Sequence, residues 1–289
     1  MLDKLLKNKI EQEINDQISN VRSVSGGCIS NAYMLKLSKG NDLFLKVNSS
    51  GNTDMFIKEA HGLQELKKAD AIKIPDVISF NSNYILLEFI HSIQRQNNFS
   101  EDFGRKFALM HEYNNQYFGF YENNFIGSNP QINIAEENEK ENWTEFYFNK
   151  RIVYQLKLAE QYGNSTSDLQ SAIKKLETKI ESIISDETEK PALLHGDLWG
   201  GNYVVDDEGF ACLIDPAVYY GNREADLAMT KLFGGFDSKF YNAYNEANPL
   251  SEGYEYRENI YKLYHVMNHL NLFGSGYYGQ CMNLIDYYL

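Results

Sequence analysis

Leu2, Leu5, Leu6, Ile10, Ile14 and Ile18 recur at helical spacing and predict an amphipathic helix at the start of the chain. The pattern then changes. Residues 21–25, 32–37 and 43–47 read as three strands of a meander. The first turn is Gly26-Gly27-Cys28-Ile29-Ser30-Asn31 and the second is Lys39-Gly40-Asn41-Asp42. Met55, Phe56, Ala60, Leu63 and Leu66 return to helical spacing, and residues 76–80 and 84–90 predict two further strands. Beyond Phe99 the pattern is mostly helical, with helices predicted over 99–111, 142–162, 168–184 and after Arg223. One short hairpin interrupts it: 203–205 and 210–214 are apolar runs joined by Asp206-Asp207-Glu208-Gly209. The reading is an α+β protein of two lobes. Residues 1–91 form a small lobe of antiparallel sheet plus helix, and residues 92–289 a larger, mostly helical one.

That hairpin sits inside the stretch richest in chemistry. It follows Leu193-Leu194-His195-Gly196-Asp197-Leu198-Trp199-Gly200-Gly201-Asn202 and leads into Ile214-Asp215-Pro216. An Asp, an Asn five residues later and a second Asp after a hairpin are the working set of a kinase-type phosphotransferase. In that chemistry Asp197 accepts or orients the acceptor hydroxyl proton, while Asn202 and Asp215 hold Mg²⁺. The ion is small and hard and is usually held by one or two protein oxygens plus phosphates and waters, so a sparse pair suffices. The hairpin predicts that Asp215 returns beside Asn202. Where protein kinases carry an Arg that pairs with an activation-loop phosphate, this chain has Gly196, so switching of that kind is not expected.

The small lobe supplies the complementary part. Lys46 lies in an apolar strand, where an unpaired ammonium is costly, and Glu59 lies on the inward side of the next helix. The pair reads as a strand-to-helix ion pair that aims the lysine at nucleotide phosphates; the alternative is a lysine on an exposed edge strand. The turn of Gly26, Gly27 and Cys28 then covers those phosphates with backbone N–H groups. It lacks the full G-x-G-x-x-G and gains meaning only with Lys46 and Asp197 behind it. Backbone groups of Glu88, Phe89 and Ile90, at the exit of the last small-lobe strand, are candidates for the adenine edge. A plain core strand ending in a loop reads equally well there.

Composition narrows the class. The 289 residues are 43% hydrophobic, with mean hydropathy -0.48, and no apolar run approaches the length of a membrane span. The first residues carry charges where a secretory signal needs its apolar segment. Three cysteines, Cys28, Cys212 and Cys281, imply no disulfide framework, and the expected location is cytoplasmic. A formal charge of -13 argues against non-specific nucleic-acid binding and suits a cationic acceptor, or simply solubility. Cys28 is either a redox-sensitive thiol in the phosphate turn or a small residue tolerated there, which leaves a monomer or a redox-sensitive dimer open. Gly274-Ser275-Gly276-Tyr277-Tyr278-Gly279 matches the dinucleotide fingerprint but follows a helical stretch, not a strand. His265 and His269 have the spacing of a zinc helix without its glutamate.

With these residues in hand, the chain resembles the fructosamine/ketosamine-3-kinase family, relatives of aminoglycoside phosphotransferases and choline kinases. The likeness rests on His195 to Asn202, on Asp215-Pro216-Ala217 and on Tyr220-Gly221-Asn222-Arg223-Glu224-Ala225-Asp226-Leu227-Ala228. It extends to Leu232-Phe233-Gly234-Gly235-Phe236, Leu109-Met110-His111 and Pro130-Gln131-Ile132-Asn133. The resemblance implies a two-lobed protein-kinase-like fold, use of ATP and Mg²⁺, and phosphorylation of the sugar 3-hydroxyl of a ketosamine, free or on a protein lysine. The product sheds its sugar, so the activity is one of deglycation. The resemblance also implies that Asp197 is the base, that Asn202 and Asp215 hold metal, and that Lys46 with Glu59 grips phosphate. It further implies that Asp226 braces the catalytic loop, that His195 and Trp199 flank the sugar, and that Arg223 and Glu224 support substrate or loop. Asn222 stands where most relatives are expected to have His. An aminoglycoside or choline kinase would share the catalytic set but lack the 220–228 and 232–236 blocks. A nucleotide-binding pseudokinase would have lost Lys46, Asp197, Asn202 or Asp215, and all four are present.

Overall fold

The computed structural model describes residues 2–24, 30–48, 54–185 and 189–289. The turn of Gly26, Gly27 and Cys28 lies outside the described residues. Helix α1 (Lys4–Ile14) starts at Asp3, whose carboxylate accepts from the Leu5 and Leu6 N–H groups, and ends at Asn15 in the left-handed conformation, φ 51°. Ile18, expected on that helix, instead opens strand β1 (Ile18–Val24). Its helical spacing is a coincidence: Asn15 turns the chain, and the Ile18 N–H is taken by the Glu11 carboxylate at 2.7 Å. Strands β2 (Ser30–Leu37) and β3 (Leu43–Asn48) complete the meander. Helix α2 (Met55–Lys67), then β4 (Val77–Phe80) and β5 (Tyr84–Glu88), finish an antiparallel sheet of order β1-β2-β3-β5-β4. Helix α1 closes one side of this sheet, where Ile10 packs with Ile18, Leu35, Leu45, Tyr84 and Leu86. On the sheet's other side, α2 joins a continuous core with the larger lobe.

Helix α3 (Phe99–Met110) leads that lobe, followed by a small hairpin of β6 (Asn124–Ile126) and β7 (Asn129–Gln131). The long helix expected over 142–162 is capped by Asn142 as a helix start should be, but it is not α-helical throughout. Helix α4 (Trp143–Tyr147) passes into a π-helical stretch, Phe148–Val153, and then into α5 (Tyr154–Gln161). The next expected helix is likewise divided, into α6 (Ser167–Glu177) and α7 (Ile180–Ile184). Four short strands form the site: β8 (Ala192–Leu194), β9 (Tyr203–Val205), β10 (Ala211–Leu213) and β11 (Tyr219–Gly221). Strands β9 and β10 pair with each other, as do β8 and β11. Helices α8 (Glu224–Leu232), α9 (Ser238–Ala247), α10 (Tyr254–Phe273) and α11 (Tyr278–Asp286) complete the lobe, the last two joined by a 3₁₀ turn, Ser275–Tyr277. Among the described residues no helix is long and apolar enough to cross a membrane.

Helix α2 belongs to the small-lobe sequence yet is fastened to the larger lobe. Glu65 accepts from the Tyr220 hydroxyl at 2.8 Å in a buried setting. Lys58 and His61 both meet Glu122, at 2.6 and 2.8 Å. Gly62 lies against Pro216 and Val218, which a Cβ would approach to 3.3 and 3.4 Å. The helix that carries Glu59 is thereby registered on the segment that follows Asp215.

Candidate active site

Two short strand pairs set the catalytic loop. Antiparallel pairing of β8 with β11, Leu194 opposite Tyr219 and Ala192 opposite Gly221, sends the chain after β8 into His195 and the chain after β11 into helix α8. Asp226 therefore lies beneath the loop. Its two carboxylate oxygens accept the backbone N–H groups of His195 and Gly196, at 2.7 and 2.8 Å. His111 reaches the same carboxylate at 3.3 Å and bonds the Tyr244 hydroxyl at 2.8 Å with its other nitrogen. Burial pushes the Asp226 carboxyl up, but the His111 hydrogen bond and the donors around it hold it below the ordinary carboxylate value. Burial pushes the His111 ring down, so it is a neutral donor to Asp226.

Gly196 is fixed by geometry. Its φ is +81°, and a Cβ there would sit 2.0 Å from the Ala217 carbonyl oxygen, so an Arg has no room at this position. His195, expected to flank the sugar, has its ring turned into the protein. It is fully buried, its Nε2–H donates to the Ile214 carbonyl at 3.0 Å, and its Nδ1 accepts the Asp197 N–H at 3.3 Å. Both ring nitrogens are spent on the loop's own backbone. Trp199, by contrast, is exposed beside the loop.

Asn202 points its Nδ2 at Asp197, donating to the backbone carbonyl at 2.7 Å and to the carboxylate at 3.1 Å. Its amide oxygen is thereby left for a cation. The β9–β10 hairpin turns at Gly209, φ +87°, and returns the chain so that the Ile214 N–H donates to the Asn202 carbonyl at 3.1 Å. Asp215 follows at once with φ 54°, a left-handed conformation that costs a non-glycine residue free energy and is typical of a constrained functional position. Burial pushes the Asp197 carboxyl well above its ordinary value; the Asn202 hydrogen bond works against this, and Asp215 and Asp226 add to it.

Lys46, largely buried on β3, donates to Glu59 at 2.7 Å and also to Asp215. Burial alone would lower its pKa; the charges of Asp215 and Glu59 raise it, so the ammonium stays charged. Lys46, Glu59, Asp197, Asn202 and Asp215 thus converge between the lobes. The donor set suits Mg²⁺: carboxylate and amide oxygens, with no sulfur or imidazole. Among the described residues there is no cluster of three or more His, Cys, Asp or Glu that could hold a metal.

At the strand exit, two of the three expected adenine contacts have their donors committed. The Glu88 N–H goes to the Asp76 carbonyl at 2.8 Å and the Phe89 N–H to Asp42 at 3.2 Å. The Glu88 carboxylate accepts the Asp76 N–H at 3.2 Å and faces Lys73. Arg223 and Glu224 are structural supports. Arg223 forks onto Glu189 and caps the Asn248 and Pro249 carbonyls, while Glu224 pairs with Arg257. Asn222 is buried and its side-chain oxygen accepts the Glu224 N–H at 2.9 Å, starting α8.

Residues that sequence reasoning assigned no role hold the segment after Asp215 from below. Gln131 donates to the Ala217 carbonyl at 2.9 Å and accepts from Tyr264 at 2.7 Å; Asn124 donates to the Val218 carbonyl at 2.8 Å. Asn133 and the fully buried Arg151 continue the network, with the Arg151 guanidinium 4.0 Å from the Tyr219 ring centroid. His265 and His269 form no metal pair: His265 is buried, and the His269 ring bonds the His265 carbonyl.

A small-lobe lysine–glutamate pair joined through Lys46 to an Asp–Asn–Asp set of the larger lobe defines a phosphotransferase of protein-kinase-like fold. The fold alone is shared with an aminoglycoside phosphotransferase (13% identity, TM-score 0.65, covering 99% of this chain and 98% of that one). A choline kinase from Streptococcus pneumoniae shares it too (16%, TM-score 0.67, covering 99% of each). The match to the Fructosamine kinase profile spans residues 2–289, and the chain belongs to that family. It is similar to the chloroplastic protein-ribulosamine 3-kinase of Arabidopsis thaliana, 41% identical over 283 residues that cover 94% of this chain and 83% of that one. It is also similar to a solved structure from Thermobifida fusca with the provisional name fructosamine-3-kinase. That likeness has 28% identity and a TM-score of 0.88, covering 98% of this chain and 97% of the other.

Proposed function

We propose that the protein transfers the γ-phosphoryl group of ATP to the 3-hydroxyl of a ketosamine, free or carried on a protein lysine, and so initiates removal of the sugar. The observation that carries this reading is the convergence of Lys46, Glu59, Asp197, Asn202 and Asp215 in a chain of the fructosamine kinase family. The Asn202 amide oxygen and Asp215 would hold Mg²⁺, which would supply charge neutralisation of the triphosphate. The residues of the chain do the rest. Asp197, whose carboxyl burial pushes well above its ordinary value, accepts the proton of the sugar hydroxyl as the carboxylate. Lys46 exchanges its contact with Asp215 for phosphate oxygens while Glu59 keeps it aimed. The Ile90 carbonyl and N–H, with the Glu88 and Phe89 carbonyls, serve the adenine edge, and Gly26, Gly27 and Cys28 serve the phosphates. Asp226 holds the loop that presents Asp197.

Turnover of ATP with ribulosamine, erythrulosamine and fructosamine on lysine, beside choline and an aminoglycoside, tests the reading. Turnover confined to ketosamines supports it. Turnover of choline or the aminoglycoside alone overturns it.

A further inference from the structure

Where helices α3 and α9 begin, the larger lobe holds a cavity of about 280 Å³. Phosphoryl transfer makes no use of it: the described residues that line it include none of Lys46, Glu59, Asp197, Asn202 and Asp215. Its walls are aromatic. Phe99, Phe103, Tyr203, Phe236 and Phe240 surround it, their rings meeting one another at centroid distances of 4.7 to 6.0 Å. A volume of this size is at the small end for ligand sites, so it suits a small molecule with an apolar body rather than a polypeptide.

Two opposite charges stand at its rim. Arg95, exposed, lays its guanidinium over the Phe99 and Tyr203 rings, 4.6 and 5.7 Å from their centroids, and donates to the Tyr203 hydroxyl at 2.9 Å. It has no carboxylate partner among the described residues, and its remaining N–H donors are free. The segment that carries it is pinned in place: the Gln96 N–H donates to the Gly209 carbonyl at 3.1 Å and the Gln96 side chain to the Glu208 carbonyl at 2.8 Å. Asp237 is the opposite charge. It starts α9, one carboxylate oxygen accepting the Lys239 and Phe240 N–H groups and the other the Ser100 hydroxyl at 2.9 Å. The oxygen that meets Ser100 keeps a lone pair for one more donor.

These groups select the occupant. A purely anionic ligand would meet Asp237 and the field of a chain of net charge -13, and a purely cationic one would meet Arg95. A zwitterion satisfies both ends and carries no net charge into that field. We infer that the cavity is a regulatory site for a free amino acid with a large apolar side chain, its carboxylate forked by Arg95, its ammonium at Asp237 and its side chain among the five rings. Regulation follows from two of the walls. Tyr203 directly follows Asn202 in the chain. Gly235, with φ of +105°, stands so close to the catalytic loop that a Cβ on it would lie 3.0 Å from the Gly200 Cα. There is no slack at that contact, so a movement of either wall is passed to Asn202 and to the nucleotide it serves.

Titration calorimetry on the full chain tests this, and no arm of it needs a ketosamine. The probes are phenylalanine, glycine (no apolar body), phenylpropionate (no ammonium) and phenethylamine (no carboxylate). Phenylalanine is expected to bind wild type with Kd of about 1 mM or tighter, and the other three at least about tenfold more weakly. Arg95→Gln, at an exposed position, should weaken phenylalanine about tenfold. Ser100→Leu, which fills the cavity, should abolish binding, with melting curves checking that both variants fold. Saturating phenylalanine should change the Kd of ADP with Mg²⁺ by about fivefold or more, and ADP should change that of phenylalanine by the same factor. Absence of phenylalanine binding, or equal binding by wild type, Arg95→Gln and Ser100→Leu, would overturn the site. Phenylpropionate or phenethylamine binding as tightly as phenylalanine would overturn the zwitterion. An unchanged ADP affinity at saturating phenylalanine would overturn the regulatory role.

Discussion

Asp226→Asn isolates the contribution of the carboxylate beneath the catalytic loop. Asp226 accepts three donors, the His195 and Gly196 N–H groups at 2.7 and 2.8 Å and His111 at 3.3 Å, in a site closed to water. Asparagine has one acceptor oxygen, and its amide group would face a backbone N–H, donor against donor. One hydrogen bond to a charged group is lost, worth about 1.5–3 kcal/mol, and one buried N–H is left unsatisfied at about 1–3 kcal/mol. A combined loss of about 4 kcal/mol lowers Tm by about 8–16 °C for a chain of this size. The loop would also shift, and a displacement of about 1 Å at Asp197 costs on the order of 10²-fold in kcat. The pH dependence has a definite sign. The folded-state pKa of Asp226 lies below its unfolded value, so its stabilisation is complete above about pH 4 and is lost as pH falls through the folded pKa. The gap in Tm between wild type and Asp226→Asn should therefore narrow as the solution is acidified below about pH 4. Differential scanning calorimetry across pH, with kcat at neutral pH, reads both effects. An Asp226→Asn protein that melts within a degree or two of wild type and keeps its kcat would refute the reasoning.

Asp197→Asn should lower kcat by about 10²–10⁴-fold with nucleotide binding by calorimetry largely retained. Because burial raises the Asp197 carboxyl, wild-type kcat/KM should fall with decreasing pH well above the ordinary carboxylate range, and that limb should vanish from the variant's residual rate. Lys46→Met should cut kcat/KM for ATP by about 10²-fold or more, and Glu59→Gln by less, since Lys46 can still reach the phosphates without the partner that aims it; equal activity would place the phosphate lysine elsewhere. Cys212 and Cys281 are buried with thiols pushed up to about 12, so inhibition by a mild thiol oxidant should run through Cys28, reverse with reductant and be absent in Cys28→Ala. Undiminished inhibition of Cys28→Ala would contradict it.

What was legible in the sequence was local. Asp197, Asn202 and Asp215 are joined by one loop and one hairpin, so spacing alone brings them together, and Lys46 and Glu59 are a strand and a helix apart. His111 and Asp226 are separated by the length of several elements, and nothing in a single sequence says that a helical histidine will meet that carboxylate. Gln131 and Asn124 escaped for the same reason: their partners, the Ala217 and Val218 carbonyls, carry no side-chain signature. His195 was expected at the sugar because a histidine beside a catalytic aspartate suggests substrate contact, whereas burial and two backbone partners make it part of the loop. The π-helical stretch around Arg151 was invisible because its apolar period matches that of the α-helices on either side.

The central claim is that this site, through Asp197, phosphorylates a ketosamine at its 3-hydroxyl. The most direct measurement is the position of the phosphate in the product formed from ATP and ribulosyl- or fructosyl-lysine, read by ¹H–³¹P correlation NMR before the sugar is released. The account predicts coupling of phosphorus to the proton on C3 with wild type, and no such product with Asp197→Asn in the same time. Phosphate on another oxygen, or the same product formed as fast by Asp197→Asn, would contradict it.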